Sequence, residues 1–257
     1  MFEQVVAKFS TLPQIEAIAL GGSRAGTQFD ESSDYDIYLY CTEEIPENIR
    51  KDILLPYCSH LELSNHFWEP EDNGTFQNGI DFDILYRNLN LFTTDVARTV
   101  EQYVASNAYS TCMWHNLLTC KILYDRDGRL AAAKERFSVP YPEQLRHNIL
   151  TQNWRLLTNS MSAYRHQIEK AARRGDLVSI NHRVAAFLET YFDVVFALNR
   201  KTHPGEKRLV SLCLSQCPTL PDHFEDNINQ LLSHLFGSAD ILIDDMDRIL
   251  TELAKIL

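Results

Sequence analysis

The stretch from Leu20 to Tyr40 constrains the fold of this chain more than any other part of the sequence. An apolar run at residues 15–20 leads into this stretch and is typical of a buried strand. Two glycines and a serine then interrupt the apolar pattern, and glycine is favoured where the chain turns tightly. A short helix and a second strand at residues 35–41 complete the pattern. The sequence therefore predicts a strand, a glycine turn, a short helix and a second strand.

Asp34 and Asp36 stand at the beginning of the second predicted strand. Side chains two residues apart in a strand point to the same face, so we expect the two carboxylates to lie side by side. The two negative charges repel each other unless a cation neutralises them. The turn at Gly21, Gly22 and Ser23, with the helix start that follows, offers backbone N–H groups to an anion. One segment thus offers an anion cradle and a divalent-metal site, as a metal-bound nucleoside triphosphate requires.

The same residues resemble the signature of a known superfamily. Gly22-Ser23, a gap of about ten residues and Asp34-Tyr35-Asp36 resemble the motif of the polymerase-beta-type nucleotidyltransferases. The resemblance implies Mg²⁺ as cofactor, held by Asp34 and Asp36 as catalytic ligands, and a nucleoside triphosphate, ATP in the first place, as co-substrate. It also implies that Gly22 and Ser23 bind the outer phosphates. The alternative is an ordinary strand-turn-helix with a loop rich in serine and aspartate.

Arg24 follows the glycine turn and has two interpretations. Its guanidinium is a candidate for binding phosphate together with the turn. It is equally a candidate ion-pair partner for Asp30, Glu31 or Asp34, since such pairs are common at surfaces and in sites. Both interpretations stay open at this point.

A second stretch with chemical character spans residues 79–88, GIDFDILYRN. Asp81 and Asp83 alternate with apolar residues, which predicts a strand with both acids on one face. The nucleotidyltransferase resemblance implies a third catalytic metal ligand on a later strand, beside the strand that follows Asp34. Asp83 is our choice and Asp81 the alternate. The alternative without chemistry is an edge strand whose polar face meets water.

Charge and composition limit the class of protein. The formal net charge is −11 over 257 residues, whereas a protein that binds long nucleic acid usually carries a basic face. No apolar run approaches the roughly 18 residues that span a bilayer, and the first residues lack the pattern of a signal peptide. The six cysteines form no C-x-x-C pair and no zinc-finger spacing. We therefore expect a cytoplasmic protein without membrane or long nucleic-acid partners.

The periodicity of the sequence changes near residue 93. Strand patterns stop there, and apolar residues recur at helical spacing. The predicted fold class is α+β, with a nucleotidyltransferase-type mixed sheet and flanking helices in an N-terminal domain at 1–92. An all-α helical bundle follows at 93–257 and is the predicted substrate-binding domain.

Long helices are predicted in this C-terminal part at about 94–118, 142–174 and 177–200. The last of these has apolar residues at i, i+3, i+4 and i+7, a stripe that is typical of a helix packed in a core. The apolar helices at the C-terminus are candidates for pairing two copies of the chain in a homodimer.

The segment at 197–210, ALNRKTHPGEKRLV, follows the last long helix. His-Pro-Gly predicts a turn, and on pattern alone the charges after it are solvated. The whole chain, however, resembles a family of uncharacterised bacterial nucleotidyltransferase-like proteins, whose members carry a similar Asn…Pro-Gly-Glu-Lys stretch. That resemblance implies that Lys207 reaches the triphosphate or the acceptor, with Asn199 and Arg200 as weaker candidates.

These observations predict a nucleotidyltransferase that moves a nucleoside monophosphate to a hydroxyl group, with release of pyrophosphate. The expected acceptor is a small molecule bound by the helical part, and Glu189 is one candidate for a general base. The alternative acceptor is a protein hydroxyl, as in AMP-transferring antitoxins. Outside catalysis, the alternative is a nucleotide-binding regulator or an inactive member of the superfamily.

Overall fold

A computed structural model describes the chain as two compact units. The described residues are 1–26, 33–67 and 69–257. Unit 1 comprises Met1–Ala97 and Asn116–Val139, and unit 2 comprises Arg98–His115 and Pro140–Leu257. Unit 1 holds a mixed sheet with flanking helices and unit 2 is helical, which confirms the α+β class. The division differs from the predicted one at 92/93 because a later segment of the chain returns to unit 1.

The strands lie in the first half of the chain together with several helices, and helices follow. The strands are β1 (Ile15–Leu20), β2 (Tyr35–Cys41), β3 (Cys58–Asn65), β4 (Glu71–Phe76), β5 (Asp81–Arg87) and β6 (Lys121–Asp125). The helices up to residue 140 are α1 (Phe2–Phe9), α2 (Gly22–Ala25), α3 (Glu47–Leu54), α4 (Leu89–Val100), α5 (Cys112–Thr119) and α6 (Arg129–Arg136). The later helices are α7 (Glu143–Trp154), α8 (Tyr164–Arg174), α9 (Leu177–Leu198), α10 (Leu209–Gln216), α11 (Phe224–Ser233) and α12 (Ala239–Ala254).

The sheet of unit 1 has the strand order β3-β4-β5-β2-β1-β6. Strands β2 and β5 run parallel, and the other neighbouring pairs are antiparallel. The prediction that strands stop near residue 93 is wrong, because β6 pairs with β1 at the edge of the sheet. Strand β6 is only five residues long and lies between two helices, so it carries too little periodicity to stand out in the sequence.

One face of this sheet packs against two helices. The buried apolar residues of that face contact α1 and α3; they are Ile15, Ile18, Ile37, Leu39, Phe82 and Ile84 of the strands, with Val5, Phe9, Ile53 and Leu54 of the helices. Because side chains alternate along a strand, residues between the buried ones point to the opposite face. Asp36 and Asp83 are two of those intervening residues. The packing of one face thus puts both carboxylates on the other.

Unit 2 is built around α9, a helix of 22 residues whose second half is buried. Its apolar residues form a core with α8, α11 and α12, which confirms the stripe read from the sequence as a core element. The apolar area removed from water there is the main source of stability for such a helical unit.

The predictions of two long helices are wrong. The helix predicted at 142–174 ends as α7, passes through the π-helical turn Arg155–Asn159, and restarts as α8. The helix predicted at 94–118 is likewise interrupted between α4 and α5. Serine and asparagine are frequent in both interruptions, and their side chains compete with the backbone for hydrogen bonds. Over the described ranges, no helix is both long and apolar enough to cross a membrane.

Candidate active site

The polar face of the unit 1 sheet brings two of the predicted carboxylates to neighbouring positions. In the parallel ladder, Asp36 is level with Asp83, just as Ile37 is level with Ile84 on the packed face. Neighbouring strands lie about 4.8 Å apart, so the two carboxylates start from adjacent points. Both residues are half-buried. Two acids at this spacing suit a hard cation that prefers oxygen ligands.

The glycine turn lies directly against Asp36. Gly21 N donates to Asp36 O at 2.8 Å, because the end of β1 meets the start of β2 in an antiparallel pair. A Cβ on Gly22 would lie 1.7 Å from Asp36 Oδ2, and Gly22 has a left-handed φ of +57°. Only glycine combines that conformation with that close approach. Ser23 follows in α2 and is half-buried, so the turn and the Asp36 carboxylate form one contiguous feature.

The Tyr38 ring packs against the glycine turn. A Cβ on Gly21 would lie 2.2 Å from the Tyr38 ring. The guanidinium of Arg87 lies 4.1 Å from the centre of that ring, and the ring hydroxyl accepts from Asn116 Nδ2 at 2.8 Å. Arg87 Nε also donates to Glu69 Oε2 at 2.8 Å. These contacts hold the Tyr38 ring in place.

Arg87 is a residue that the sequence analysis missed, and its guanidinium forms an ion pair with Glu69. Burial acts to lower its pKa, but the hydrogen bond and the charge of Glu69 outweigh burial and raise the pKa above its usual value. The side chain is 8% exposed. An arginine at the end of an apolar strand is the signal that could have drawn attention to it. Its contacts identify Arg87 as a positioning residue for the Tyr38 ring and not as a free phosphate ligand.

Asp83 and its alternate, Asp81, have different surroundings. Asp83 Oδ1 accepts from Asn73 Nδ2 at 2.7 Å, and Asp81 Oδ1 accepts from Thr75 Oγ1 at 2.6 Å. Asp81 is exposed and opens β5. Asp34 is also exposed and immediately precedes β2. The structure thus makes Asp83 the strand neighbour of Asp36 and leaves Asp34 and Asp81 at the N-terminal ends of the same two strands.

Asn73 orients Asp83 and is a second residue that the sequence analysis missed. It lies in β4, whose sequence EDNGTF has no apolar alternation and was not predicted as a strand. Its Oδ1 accepts from Asn65 Nδ2 at 2.7 Å, while its Nδ2 donates to Asp83. A chain of side-chain hydrogen bonds therefore runs from β3 through β4 to the candidate metal ligand. Such outer partners orient the ligands of many metal sites.

The candidate site offers carboxylates that can bind a metal ion. Within the described part of the chain, no group of three or more His, Cys, Asp and Glu side chains is arranged to hold a metal. Mg²⁺, however, is commonly bound by one or two carboxylates and completed by water and substrate phosphate oxygens. Asp36 and Asp83 fit this pattern, and Asp34 is two residues from Asp36. The donor chemistry is therefore compatible with Mg²⁺.

Arg24 lies beside the start of β2. Its Nε donates to Ser33 O at 2.5 Å, and its guanidinium lies 4.1 Å from the centre of the Tyr35 ring. Two of its predicted ion-pair partners, Asp30 and Glu31, lie outside the described residues. These contacts hold the guanidinium close to the strand end that carries the candidate site.

Lys207 lies in unit 2, in the segment before α10, and is exposed. The turn that leads to it is anchored by His203, which is fully buried. His203 N donates to Thr111 Oγ1 at 2.7 Å, and Gly205 N donates to His203 Nδ1 at 3.2 Å. Burial lowers the pKa of His203 to about 4, so the ring is neutral at physiological pH. The predicted Pro-Gly turn is thus a built feature of this unit.

Asn199 and Arg200, the weaker candidates, have structural partners. Asn199 Nδ2 donates to Val195 O at 2.9 Å and to Thr219 O at 2.7 Å, which caps the end of α9. Arg200 forms an ion pair with Glu143 of α7. Both side chains therefore stabilise unit 2 itself.

Glu189, the candidate general base, lies near a second acid. Burial and the charge of Glu206 raise the pKa of Glu189. Burial and the same two glutamates raise the pKa of Tyr109 to about 12. Unit 2 therefore contains a patch of negative potential formed by Glu189 and Glu206, where a cation would be stabilised.

Comparison with known proteins finds a family model that is similar to a segment with residues from both units. Residues 109–209 match the family described as "Domain of unknown function (DUF4037)". The matched segment begins at Tyr109 and ends just beyond Lys207, so it includes the Pro-Gly turn and both glutamates. A comparison with the curated proteins finds no match.

Two solved structures share a distant likeness with the chain. A nucleotidyltransferase-like protein from Exiguobacterium sibiricum 255-15 is 12% identical, with a TM-score of 0.44, over 97% of this chain and 73% of that one. An aminoglycoside 6-adenyltransferase from Bacillus subtilis is 9% identical, with a TM-score of 0.29, over 99% of this chain and 89% of that one.

Proposed function

We propose that this protein is a Mg²⁺-dependent nucleotidyltransferase that transfers a nucleoside monophosphate from a nucleoside triphosphate, ATP in the first place, to a hydroxyl of a small-molecule acceptor. The observation that carries the proposal is the placement of Asp36 and Asp83 side by side, with the backbone of Gly22 against the Asp36 carboxylate. Carboxylates for a metal and a glycine turn for phosphates are the two parts that such a reaction requires.

The residues of the proposed site bind the metal, bind the phosphates or orient a metal ligand. Asp34, Asp36 and Asp83 would hold Mg²⁺, which supplies Lewis-acid stabilisation of charge on the phosphates. Gly22 and Ser23 bind the outer phosphates through backbone N–H groups and the serine hydroxyl. Arg24 and Lys207 are the further candidates for binding phosphate. Asn73 holds Asp83 in the orientation that the metal needs.

The proposed acceptor is small and carries positive charge. The chain has a net charge of −11, and the pair of Glu189 and Glu206 in unit 2 would attract a cation. A protonated amine near the reacting hydroxyl would find its counter-charge there. Glu189 is our candidate for the base that accepts the hydroxyl proton, because its raised pKa brings it closer to neutral pH.

Thermal unfolding with each of the four nucleoside triphosphates, with and without Mg²⁺, tests the proposal. We expect stabilisation only when nucleotide and Mg²⁺ are both present, on the order of 2.7 kcal/mol when the ligand is at about 100 times its Kd. Asp36→Asn and Asp83→Asn should abolish the effect. Asp81→Asn is the matched control on the same strand and should retain it. Equal stabilisation of Asp83→Asn and the wild type would contradict the proposed ligand set.

One observation favours a second candidate function, nucleotide binding without turnover. The described residues include no ready-made group of three metal ligands, and a superfamily member that lacks such a group binds nucleotide more easily than it catalyses transfer. Release of pyrophosphate distinguishes the two. Stabilisation by Mg²⁺ and nucleotide with pyrophosphate release in the presence of candidate aminoalcohol acceptors supports the enzyme. Stabilisation without any release across the acceptors supports the binding protein.

A further inference from the structure

A cavity opens in unit 1 at the end of the sheet opposite the candidate active site. Its volume is about 430 Å³, and the residues that follow β2 and the last residues of β5 line it. Because β2 and β5 are parallel, their C-terminal ends meet at this edge. Cys41 at this end and Asp36 at the other are five residues apart in β2, which corresponds to about 16 Å. The cavity is therefore separate from the proposed nucleotide site.

Glu71 is the residue that gives this cavity a chemical character. It is 5% exposed, lines the cavity, and its carboxylate has no hydrogen-bond or ion-pair partner among the described residues. Its oxygens are not fully enclosed by the protein, so they are open to the cavity. Glu71 therefore offers a largely buried carboxylate, without a partner among the described residues, to a molecule in the cavity. The open cavity in front of Glu71 favours a ligand.

The cavity excludes an anion as that ligand. The two arginines in its lining are already neutralised, since Arg50 pairs with the buried Asp72 and Arg87 pairs with Glu69. Glu43 and Glu44 add two exposed carboxylates to the lining. The charges that remain are negative, so the field in the cavity attracts a cation.

The cation is an organic one. The described residues of the cavity do not include three carboxylate, histidine or cysteine side chains arranged for a metal, so a divalent ion would lack ligands. Ile45, Pro70 and Tyr86 supply apolar wall next to the acid. The volume is sufficient for a small molecule and too large for a single metal ion. An ammonium group on a short apolar chain matches both the carboxylate and the wall.

We propose that unit 1 has a second binding site, for a small alkylammonium ligand whose charged group pairs with Glu71. This site does not depend on the proposed nucleotidyl transfer. It is a binding site only, and no reaction is assigned to it. A metabolite with a primary amine and an aliphatic chain is the class of ligand that would occupy it.

Calorimetric titration of the full chain with three probes of equal length tests the proposal. The probes are n-hexylammonium, 1-hexanol and hexanoate. We expect hexylammonium to bind the wild type, hexanol to bind roughly tenfold more weakly or worse because it lacks the ion pair, and hexanoate not to bind. This comparison needs no variant. Equal affinity for hexylammonium and hexanol, or no binding of hexylammonium at millimolar concentration, would overturn the proposal.

Glu71→Gln locates the binding. It preserves the shape of the side chain and removes the charge, so we expect at least a tenfold loss of hexylammonium affinity. Glu3→Gln, on the exposed surface of α1, makes the same charge change away from the cavity and should bind hexylammonium like the wild type. Without ligand, Glu71→Gln should melt at the same temperature as the wild type or higher, because the substitution removes no hydrogen bond or ion pair with the described residues. Unchanged affinity in Glu71→Gln, or a marked drop in its melting temperature without ligand, would show that Glu71 serves another role.

Discussion

Gly21 has no room for a side chain, because the Tyr38 ring occupies the position of a Cβ. The ring cannot move away, since Arg87 lies over it and Asn116 holds its hydroxyl. We therefore expect Gly21→Ala to lower the free energy of unfolding by roughly 1–3 kcal/mol, the usual cost of forcing a methyl group into a packed site. Urea denaturation of both proteins measures this difference.

Gly26→Ala is the matched control for that change. Among the described residues, a Cβ on Gly26 meets nothing closer than 3.6 Å, so this variant should unfold within about 0.5 kcal/mol of the wild type. The pair of substitutions separates the clash with Tyr38 from any general effect of alanine near α2. A Gly21→Ala variant as stable as Gly26→Ala would show that the Tyr38 ring is less constrained than its contacts indicate.

At the scale of elements, α9 is connected to two other segments of unit 2 through one buried acid. Asp193 is 1% exposed. Its carboxylate accepts from Ser110 N at 2.9 Å, from Ser110 Oγ at 2.7 Å and from Asn153 Nδ2 at 2.8 Å. Burial outweighs these hydrogen bonds and raises the pKa of Asp193 to about 6. The acid that connects α9 to its neighbours thus carries a penalty when it is ionised.

The sign of the resulting pH dependence follows from linkage. The folded pKa is above the unfolded one, so the stabilising contribution is complete below about pH 4 and is lost as the pH rises through about 6. The advantage of the wild type over Asp193→Asn should therefore shrink between pH 4 and pH 7 by on the order of 3 kcal/mol. Denaturation of both proteins across this range measures it, and the other titrating groups cancel in the difference. A constant advantage, or one that grows with pH, contradicts the assignment.

At the scale of the whole molecule, the net charge of −11 predicts that long nucleic acids are not partners. Binding to duplex DNA or RNA gains its affinity largely from release of counterions by basic side chains. We expect no change in the fluorescence anisotropy of a short labelled duplex or of a labelled transfer RNA at micromolar protein and low salt. A basic DNA-binding protein serves as the positive control. Binding that weakens steeply with added salt would show a local basic face and would reopen a nucleic-acid acceptor.

The sequence by itself determined the elements whose pattern is local. Strands β1 and β2 and the short helix between them occupy the residues that the glycine turn and the apolar runs predicted. Strand β5 follows from the alternation around Asp81 and Asp83, and α9 follows from its apolar stripe. Local patterns suffice in these cases because burial of one face imposes a period of 2 or 3.6 on the sequence.

Only the tertiary structure decided which of these residues meet. Asp83, and not the alternate Asp81, lies level with Asp36. This placement depends on the register of two strands that are far apart in sequence. Strands β4 and β6 exist because neighbouring strands offer them backbone hydrogen bonds, and their own sequences carry little periodicity. The partners of Arg87 and Asn73 likewise come from other segments of the chain. Hydrogen-bond partners and burial are properties of the packed chain, so no spacing within the sequence encodes them.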